Sequence, residues 1–289
     1  MAKTTDLLSR FSARTDLHQS PMHAKLMQEI GWETIQLEKG SQLFLRQLGP
    51  LAVAKIQRPK TLDLTKLNQI RKERHIFTLY IESGLGQREK LGWPVEPFAH
   101  SATSLIDLTL SEVELLNSFT QKTRYNIIHG LKKNTLSLCA TPVSKLSQKE
   151  TDDFFSLRTA WSKRKNLIGY SEELLQAVFT SYRDHATLHT AYLGDELIAS
   201  LLILMHDRVA TYYAAFATPE GYHQFAPTLL TWKAIQTAKE NGCDVFDFGG
   251  IYDARYPGMY KKWQGFTKFK EGFNPTPLLY PRTYLKLFW

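Results

Sequence analysis

The strongest constraint on the fold is the order of helical and strand-like segments in the second half of the chain. Helices are predicted where apolar residues recur every three or four positions, and strands where short apolar runs are bounded by turn residues. In chain order, the predicted segments are helices over 148–163 and 171–184, strands over 188–193, 196–205 and 209–217, a helix over 227–240, a strand over 244–248, a short aromatic helix, and strands over 266–273 and 278–280. Gly194-Asp195 predicts a hairpin turn between the first two strands. The pattern predicts an α+β fold.

The first half of the chain carries a looser version of this order. Ser20-Pro21 predicts a helix start, and Ser111 with Glu114 fits a capping box at a second one. The predicted segments are a helix over 21–30, strands over 34–37, 42–48 and 51–56 with a turn at 38–41, a helix over 64–82, an extended segment over 98–108, a helix starting at 109–114, a basic helix over 121–133 and a strand over 135–140. No repeat is visible in the sequence, so duplication stays a hypothesis.

The length of 289 residues favours two domains. The connection over 141–147 contains proline and serine and separates the two sets of predicted segments. We therefore expect a first domain over 1–143 and a second over 144–280.

Charge and cysteine content narrow the classes of partner. Lysine and arginine total 36 against 28 aspartate and glutamate, which gives a net charge of +8. Such a surplus suggests nucleic acid, phosphorylated ligands or anionic lipid, and it also fits a basic protein without a polyanionic partner. The two cysteines, Cys139 and Cys243, exclude a disulfide framework and a four-cysteine zinc site, and they suit a reducing compartment.

Targeting and membrane signals are not expected in this sequence. The first 17 residues lack an apolar stretch, and the longest apolar run, over 197–205, is far shorter than a spanning helix. We expect a cytoplasmic protein. The aromatic and cationic segment 284–289 favours packing against the protein itself, with peripheral contact to a membrane as the alternative.

Two short patterns suggest chemistry that their surroundings do not support. Asp247-Phe248-Gly249 has the letters of the kinase metal-binding tripeptide, but no kinase lysine or catalytic loop accompanies it, so a strand ending in a glycine turn is preferred. His185 and His189 lie four residues apart without an acidic partner, which favours solvated histidines over a metal site.

A set of motifs occurs in one order along nearly the whole chain. They are Gln19-Ser20-Pro21 with Gly31-Trp32, Ile106-Asp107-Leu108-Thr109, Gln121-Lys122-Thr123-Arg124-Tyr125-Asn126-Ile127, Phe246-Asp247-Phe248-Gly249-Gly250-Ile251 and Phe266-Thr267-Lys268-Phe269-Lys270-Glu271-Gly272-Phe273. Together they resemble the FemABX family of non-ribosomal peptidyltransferases. Members of that family move an amino acid from aminoacyl-tRNA onto the stem peptide of a peptidoglycan precursor.

The resemblance implies an α+β protein of two tandem GNAT-like domains (the acyl-CoA N-acyltransferase fold) with a cleft between them. The order of segments in the second half is itself that of a GNAT acyltransferase. No segment is long and charged enough for the coiled-coil arm of some members. In compact members the last residues return to the first domain, so the same is expected of the tail over 281–289.

The catalytic assignment also follows from the resemblance. Phe269-Lys270 matches the family's Phe-Lys pair, whose lysine stabilises the tetrahedral oxyanion that forms when an amine attacks the aminoacyl ester. The alternative for Lys270 is a lysine on the surface of a strand. No residue is assigned as a general base, because the substrate can remove the proton itself.

Further candidates are assigned to binding. Residues expected to line the substrate cleft are Tyr170, Tyr213, Tyr222, Tyr252, Asp247, Gly249 and Gly250; for the tyrosines, core packing is the alternative. Basic residues that could hold tRNA or precursor phosphates are Lys122, Arg124, Lys132, Lys133, Lys163, Arg164, Lys165, Lys261, Lys262 and Lys268. Solvated helix faces are the alternative for these charges.

Two departures from the family pattern affect the expected substrates. Compact members hold the precursor's phosphates with basic residues where this chain has Glu33 or Thr34, and Gly169 or Tyr170. The protein therefore binds the phosphates of the acceptor through other residues than compact members do, or its acceptor is a different precursor. The glycine-rich loop that cradles coenzyme A pyrophosphate in GNAT enzymes is also missing from 221–227, which counts against coenzyme A as donor.

The favoured hypothesis is an aminoacyltransferase with aminoacyl-tRNA as donor and UDP-MurNAc-pentapeptide or lipid II as acceptor, acting in cell-wall synthesis. An N-acyltransferase that uses acyl-CoA or another thioester is the first alternative. A non-catalytic tRNA- or RNA-binding protein on the same fold is the second. No metal or organic cofactor is expected, and a monomer is favoured.

Overall fold

The computed structural model describes residues 2–37, 40–97, 99–133, 135–165 and 170–288. Part of the predicted turn at 38–41, the first residue of the predicted segment 98–108, and Gly169 lie outside the described residues. The chain divides into two compact units. Unit 1 comprises Met1–Thr103, Gly250–Lys261 and Leu278–Trp289, and unit 2 comprises Ser104–Gly249 and Lys262–Pro277.

Helices and strands alternate along the described residues. The helices are α1 (Ala2–Ala13), α2 (Pro21–Glu29), α3 (Leu64–Glu73), α4 (Glu112–Ser118), α5 (Gln121–Lys133), α6 (Gln148–Lys165), α7 (Glu172–Ser181), α8 (Pro219–His223), α9 (Ala226–Glu240), α10 (Pro257–Tyr260) and α11 (Gln264–Glu271). The strands are β1 (Glu33–Gln36), β2 (Gln42–Leu48), β3 (Leu51–Gln57), β4 (Ile76–Glu82), β5 (Trp93–Val95), β6 (Ala102–Asp107), β7 (Ser137–Pro142), β8 (Ala186–Leu193), β9 (Glu196–His206), β10 (Val209–Ala217), β11 (Val245–Asp247), β12 (Thr276–Leu279) and β13 (Thr283–Leu287).

Unit 1 contains a six-stranded sheet in the order β1-β2-β3-β4-β13-β5. Its pairs are antiparallel except β3 and β4, which run parallel and are connected by α3. The predicted tail over 281–289 contains β13, which pairs with β4 on one side and β5 on the other. The last strand of the chain therefore lies inside this sheet.

The second sheet has seven strands in the order β12-β6-β11-β10-β9-β8-β7. β10 and β11 run parallel and are connected by α9, while β7, β8, β9 and β10 form an antiparallel run. The predicted boundary at 143 differs from the division at 103, because Leu105, Ile106 and Asp107 of β6 pair with β11 of unit 2.

Each unit has its own apolar core. In unit 1, Leu43 and Ile56 of adjacent strands pack in one cluster with Ile70 of α3. In unit 2, Leu201 of β9 and Ile235 of α9 belong to a larger cluster. Burial of this apolar surface is the main stabilising contribution to each unit.

The predicted helix over 64–82 is wrong in its second half. The helix α3 ends at Glu73, and β4 begins at Ile76. Between them His75 has a left-handed backbone with a φ of 49°, and it is exposed. The run Ile-Phe-Thr-Leu-Tyr-Ile is rich in β-branched and aromatic residues, which pack well on a pleated sheet.

The predicted strand over 266–273 is also wrong, because Gln264–Glu271 forms helix α11. Phe266, Phe269 and Phe273 are spaced by three and four residues, which is the period of one helix face. The rings of Phe269 and Phe273 lie 5.5 Å apart between centroids. Apolar and polar residues alternate around Lys268, but over so short a segment this alternation does not distinguish a strand from a helix.

His189 provides a test of the unit 2 core. It lies fully buried on β8, so the prediction of a solvated histidine is wrong for it, whereas His185 is exposed. Burial lowers the pKa of His189 to about 4. Between about pH 6.5 and 4 the unfolded chain binds a proton that the native state does not, so this group lowers stability as the pH falls.

We therefore expect the melting temperature of His189→Leu to exceed that of the wild type by a margin that widens from pH 7 to pH 5. Thermal denaturation across this range measures the margin. His185→Leu, four residues earlier and exposed, serves as the control and should show no such trend. A margin that stays constant with pH would contradict the assignment.

Candidate active site

Lys270 is a buried cation in the core of unit 2. It lies in the last turn of α11, and only 6% of its surface is exposed. Its Nζ donates a hydrogen bond of 2.8 Å to the carbonyl oxygen of Phe248, the residue that follows β11. The alternative of a surface strand lysine is therefore wrong in both respects, because the residue is helical and buried.

The sheet is irregular next to this lysine. In the pairing of β10 with β9 the register shifts between Tyr212 and Ala214, which leaves Tyr213 as an extra residue. The pairing of β10 with β11 ends at Thr211 and Asp247. Bulges of this kind commonly occur beside active sites, where they redirect a side chain or end the pairing.

Aromatic rings surround the amine. The Nζ of Lys270 lies 5.4 Å from the ring centroid of Tyr212 and 5.0 Å from that of Phe266. Burial lowers the pKa of Lys270 to about 7, and the negative charge of Asp247 acts in the opposite direction. Near neutral pH the side chain therefore exists in both the charged and the neutral form, which is a property of groups that stabilise or transfer charge in catalysis.

The motif around Asp247 shapes the backbone at the end of β11. The Oδ1 of Asp247 accepts a hydrogen bond of 2.8 Å from the backbone N–H of Gly249. Gly249 has a φ of 66°, and a Cβ atom there would lie 3.0 Å from the carbonyl oxygen of Tyr212. The structure thus gives both predicted residues a role in holding the turn that carries the Phe248 carbonyl.

The other predicted cleft residues have different surroundings. Tyr170 and Tyr213 stack with their centroids 4.8 Å apart, and Arg158 donates two hydrogen bonds to the carbonyl of Tyr170. Tyr222 is half exposed, with the Nζ of Lys165 at 5.9 Å from its ring. Gly250 and Tyr252 belong to unit 1.

Phe269, the predicted partner of Lys270, is partly buried against the core of unit 2. Its ring contacts Phe273 as described above. This packing indicates that Phe269 fixes the orientation of α11 and, through it, of Lys270.

Both predicted phosphate-binding arginines bind the protein's own backbone. Arg124 donates to the carbonyls of Leu116, Asn117 and Phe119 and so caps α4. Arg164 donates to the carbonyl of Ala217 at the end of β10. The remaining lysines are exposed: Lys122, Lys132, Lys133, Lys163, Lys165, Lys261, Lys262 and Lys268. Lys261 belongs to unit 1 and the others to unit 2.

The start of helix α9 lacks one of the backbone amides that could bind a phosphate. Its N-cap residue, Phe225, has a left-handed backbone and makes no side-chain cap hydrogen bond. Pro227 in the first turn carries no N–H. The predicted departure from the coenzyme A loop therefore coincides with a helix start that offers one amide fewer to an anion.

In unit 1, basic side chains approach Trp32 from neighbouring strands. The guanidinium carbon of Arg46 lies 5.2 Å and the Nζ of Lys55 5.1 Å from the Trp32 ring centroid. Glu33 is one of two candidates for a position where compact family members have a basic residue, and it forms an ion pair with Arg74. Sequence reasoning along single segments missed Arg46 and Lys55, because β2 and β3 bring them to this tryptophan.

A second polar cluster of unit 1 was also missed. The buried carboxylate of Asp253 accepts hydrogen bonds from Arg255 and from the hydroxyl of Ser101. Arg255 also donates to the carbonyls of Ser101 and Tyr280 at 2.9 and 3.0 Å. The polar residues after Gly249-Gly250 could have indicated this cluster, but such a sequence is also typical of a loop.

A buried arginine lies near this cluster in unit 1. The guanidinium of Arg58 is 3.6 Å from the ring centroid of Tyr280, and it donates to the carbonyl of His100. Arg58 and Asp16 form an ion pair of 3.5 Å, and the pKa of Asp16 lies well below its usual value; burial opposes this shift, and Arg58 and His18 cause it. Arg58, His100 and Tyr280 line a small cavity with Glu82 and Ser83.

Among the described residues, no group of three or more histidine, cysteine, aspartate or glutamate side chains could hold a metal ion. A search of the same residues finds no helix long and apolar enough to cross a membrane.

The middle of the chain matches one family model. A family model described as an acetyltransferase (GNAT) domain matches residues 122–262. No curated protein matches the chain by sequence.

Solved structures share the fold over almost the whole chain. The crystal structure of FemX has a TM-score of 0.77 at 13% identity and covers 99% of this chain and 96% of that chain. The C-terminal domain of a putative lysylphosphatidylglycerol synthetase from Agrobacterium fabrum has a TM-score of 0.61 at 12% identity, with coverages of 98% and 90%. A tandem GNAT protein from the clavulanic acid biosynthesis pathway has a TM-score of 0.51 at 9% identity, with coverages of 86% and 78%.

These likenesses confirm the predicted fold class, an α+β protein with tandem GNAT-like domains. They also confirm the resemblance to the FemABX family at the level of fold. Identities of this size support no transfer of substrates or of residue roles.

Proposed function

We propose that the protein is an aminoacyltransferase that moves an amino acid from aminoacyl-tRNA to an amine of a peptidoglycan precursor stem peptide. The observation that carries the proposal is the buried Lys270, whose Nζ lies at the end of β11 beside the bulge of β10. The lysine matches the position that the family resemblance assigns to oxyanion stabilisation. The fold shared with FemX supports the same class of reaction.

The reaction joins an amine to an activated ester. The neutral amine attacks the carbonyl carbon, so that a C–N bond forms and the carbonyl oxygen becomes an oxyanion. The C–O bond to the ribose then breaks, and the proton lost by the amine ends on the ribose oxygen. The ammonium form of Lys270 stabilises the oxyanion, and its buried surroundings strengthen this interaction relative to water.

An N-acyltransferase that uses a thioester donor is the second candidate. The acetyltransferase model over 122–262 favours it. The start of α9, where Pro227 replaces an amide donor, argues against coenzyme A as the carrier. The two candidates differ in the donor and share the proposed role of Lys270.

A transfer assay separates the candidates. Purified protein is mixed with radiolabelled aminoacyl-tRNA and either UDP-MurNAc-pentapeptide or lipid II, with acyl-CoA in parallel reactions. Label that moves from tRNA to the pentapeptide supports the proposal. Turnover of the thioester alone would favour the N-acyltransferase, and binding of tRNA without any transfer would favour a non-catalytic RNA-binding protein.

The pH profile tests the charge of Lys270. Because the reaction needs the ammonium form of Lys270 and the neutral form of the acceptor amine, the single-turnover rate should rise with pH and level off above the lysine's pKa of about 7. In Asp247→Asn the carboxylate that raises this pKa is removed, so the rate should level off at a lower pH. Asn can still accept the Gly249 N–H bond, and Asp195→Asn in the exposed β8–β9 turn serves as control. An unchanged profile in Asp247→Asn would contradict the assignment.

A further inference from the structure

Helix α5 packs tightly against the rest of unit 2 along one side only. Thr123 and Ile127 are buried. Gly130 lies against Leu229 of α9, and a Cβ atom at Gly130 would be only 2.9 Å from that side chain. The inner side of the helix is therefore fixed, and the opposite side faces solvent.

The solvent side of α5 is unusually apolar. Tyr125, Ile128 and Leu131 are exposed by 59%, 56% and 48%. They are spaced by three residues, so they lie on one side of the helix. The exposed side of a helix in a soluble protein is normally polar, and three large apolar side chains within seven residues form a contiguous patch.

The same side of α5 is also positively charged. Lys122, Lys132 and Lys133 are exposed, and the sequence of the helix contains no acidic residue. Binding of RNA phosphates would use these lysines but would not need the apolar side chains between them. A surface that combines exposed apolar side chains with lysines fits the interface of an anionic lipid bilayer, which takes up both.

We propose that α5 docks unit 2 onto an anionic phospholipid surface. Tyr125, Ile128 and Leu131 insert at the boundary of headgroups and acyl chains, and the three lysines contact lipid phosphates. We call these six residues the α5 surface. The inference goes beyond the proposed function and does not depend on it, because membrane binding requires neither donor nor acceptor.

Helix α5 is in direct contact with the end of α11, the helix that carries Lys270. The backbone N–H of Thr120, just before α5, donates a 3.0 Å hydrogen bond to the carbonyl of Gly272, just after α11. A Cβ atom at Gly272 would lie 2.4 Å from the Oγ1 of Thr123. The end of the helix that carries Lys270 is therefore held against the start of the membrane-docking helix.

Vesicle flotation tests the proposal with the full chain. Vesicles of phosphatidylcholine with phosphatidylglycerol are compared with vesicles of phosphatidylcholine alone. We expect the wild type to float with the anionic vesicles only, and Ile128→Ser/Leu131→Ser to lose at least tenfold in affinity. Lys132→Gln/Lys133→Gln should also bind more weakly, with a smaller dependence on salt.

Matched controls separate this surface from general effects. Leu48→Ser/Leu51→Ser changes two similarly exposed leucines of the β2–β3 hairpin in unit 1 and should bind like the wild type. Ile128→Ser/Leu131→Ser should keep its thermal stability and its transfer rate with a soluble acceptor. Equal flotation of Ile128→Ser/Leu131→Ser and wild type would overturn the proposal. A second result would also overturn it: only Lys132→Gln/Lys133→Gln loses vesicle binding, and tRNA displaces the protein from the vesicles. That result would identify the α5 surface as an RNA-binding face.

Discussion

Lys270→Met is expected to lower the single-turnover rate of transfer by about 10²–10³-fold, the usual effect of removing one oxyanion donor. Methionine fills a similar volume but carries no charge and no hydrogen for the oxyanion. The loss should appear in the rate of the chemical step and not in the affinity for donor or acceptor. Rapid-quench measurement with saturating substrates distinguishes these two effects.

The same variant should not be less stable than the wild type near neutral pH. Burial lowers the pKa of Lys270 from 10.5 to about 7, so the cost of burying the ammonium is largest below about pH 7 and vanishes above about 10.5. Methionine removes that cost. A melting temperature at pH 7 that equals or exceeds the wild-type value would show that the rate loss is not a folding defect.

Two other lysines give the necessary contrast. Lys145 is exposed in unit 2, and Lys145→Met should leave the rate unchanged. Lys268 is exposed on α11, two residues before Lys270, and as a candidate phosphate-binding residue its replacement should raise KM for tRNA in a salt-dependent way. A Lys270→Met enzyme with the wild-type rate would reduce this lysine to a packing residue.

Arg255→Met is expected to destabilise unit 1 by about 2 kcal/mol, within the range for leaving a buried acceptor without its donor. The variant leaves the carboxylate of Asp253, which is almost completely buried, without its cationic partner. It also removes the donors to the carbonyls of Ser101 and Tyr280. Hydrogen exchange of amides in β4 and β13 during urea titration reports on unit 1 separately.

Arg74→Met is the matched control for this prediction. Arg74 pairs with Glu33 in the same unit, but the Glu33 side chain is 47% exposed, whereas that of Asp253 is 1% exposed. An exposed pair contributes at most about 1 kcal/mol, so this variant should be close to the wild type. Equal effects of the two replacements would mean that the Asp253 cluster is no more important than a surface ion pair.

The elements that were predicted correctly from sequence have clear local signals. The helix over 121–133 matches α5, and Ser111 with Glu114 forms the predicted capping box at the start of α4. The hairpin at Gly194-Asp195 connects β8 and β9. In these segments the periodicity, the cap or the turn residues are sufficient, because the tertiary structure does not oppose them.

The segments that were mispredicted are short apolar runs. The run over 76–82 follows a helix without a glycine or proline between them, and the run over 266–273 has three phenylalanines that fit either period when read over a few residues. Helix α1 was not predicted, although Leu7 and Phe11 have the spacing of one buried helix face. Periodicity over so few residues does not separate a strand from a helix.

The candidate site was predictable only in part. The resemblance selected Lys270, but its burial depends on the packing of α11 against β11. The hydrogen bond between Ser101 and Asp253 joins residues 152 positions apart, and no local pattern predicts such a contact. Sequence motifs therefore indicated the chemistry, while the partners of the buried charges depend on tertiary structure.

The position of β13 has a consequence for biosynthesis. Unit 2 ends at Pro277, whereas the sheet of unit 1 includes Thr283–Leu287 between β4 and β5. On the ribosome, the nascent chain therefore completes unit 2 before β13 is synthesised, and until then β4 and β5 have unpaired edges. Unpaired edges are sites of aggregation. Chaperone dependence and misfolding during synthesis should therefore be concentrated in unit 1.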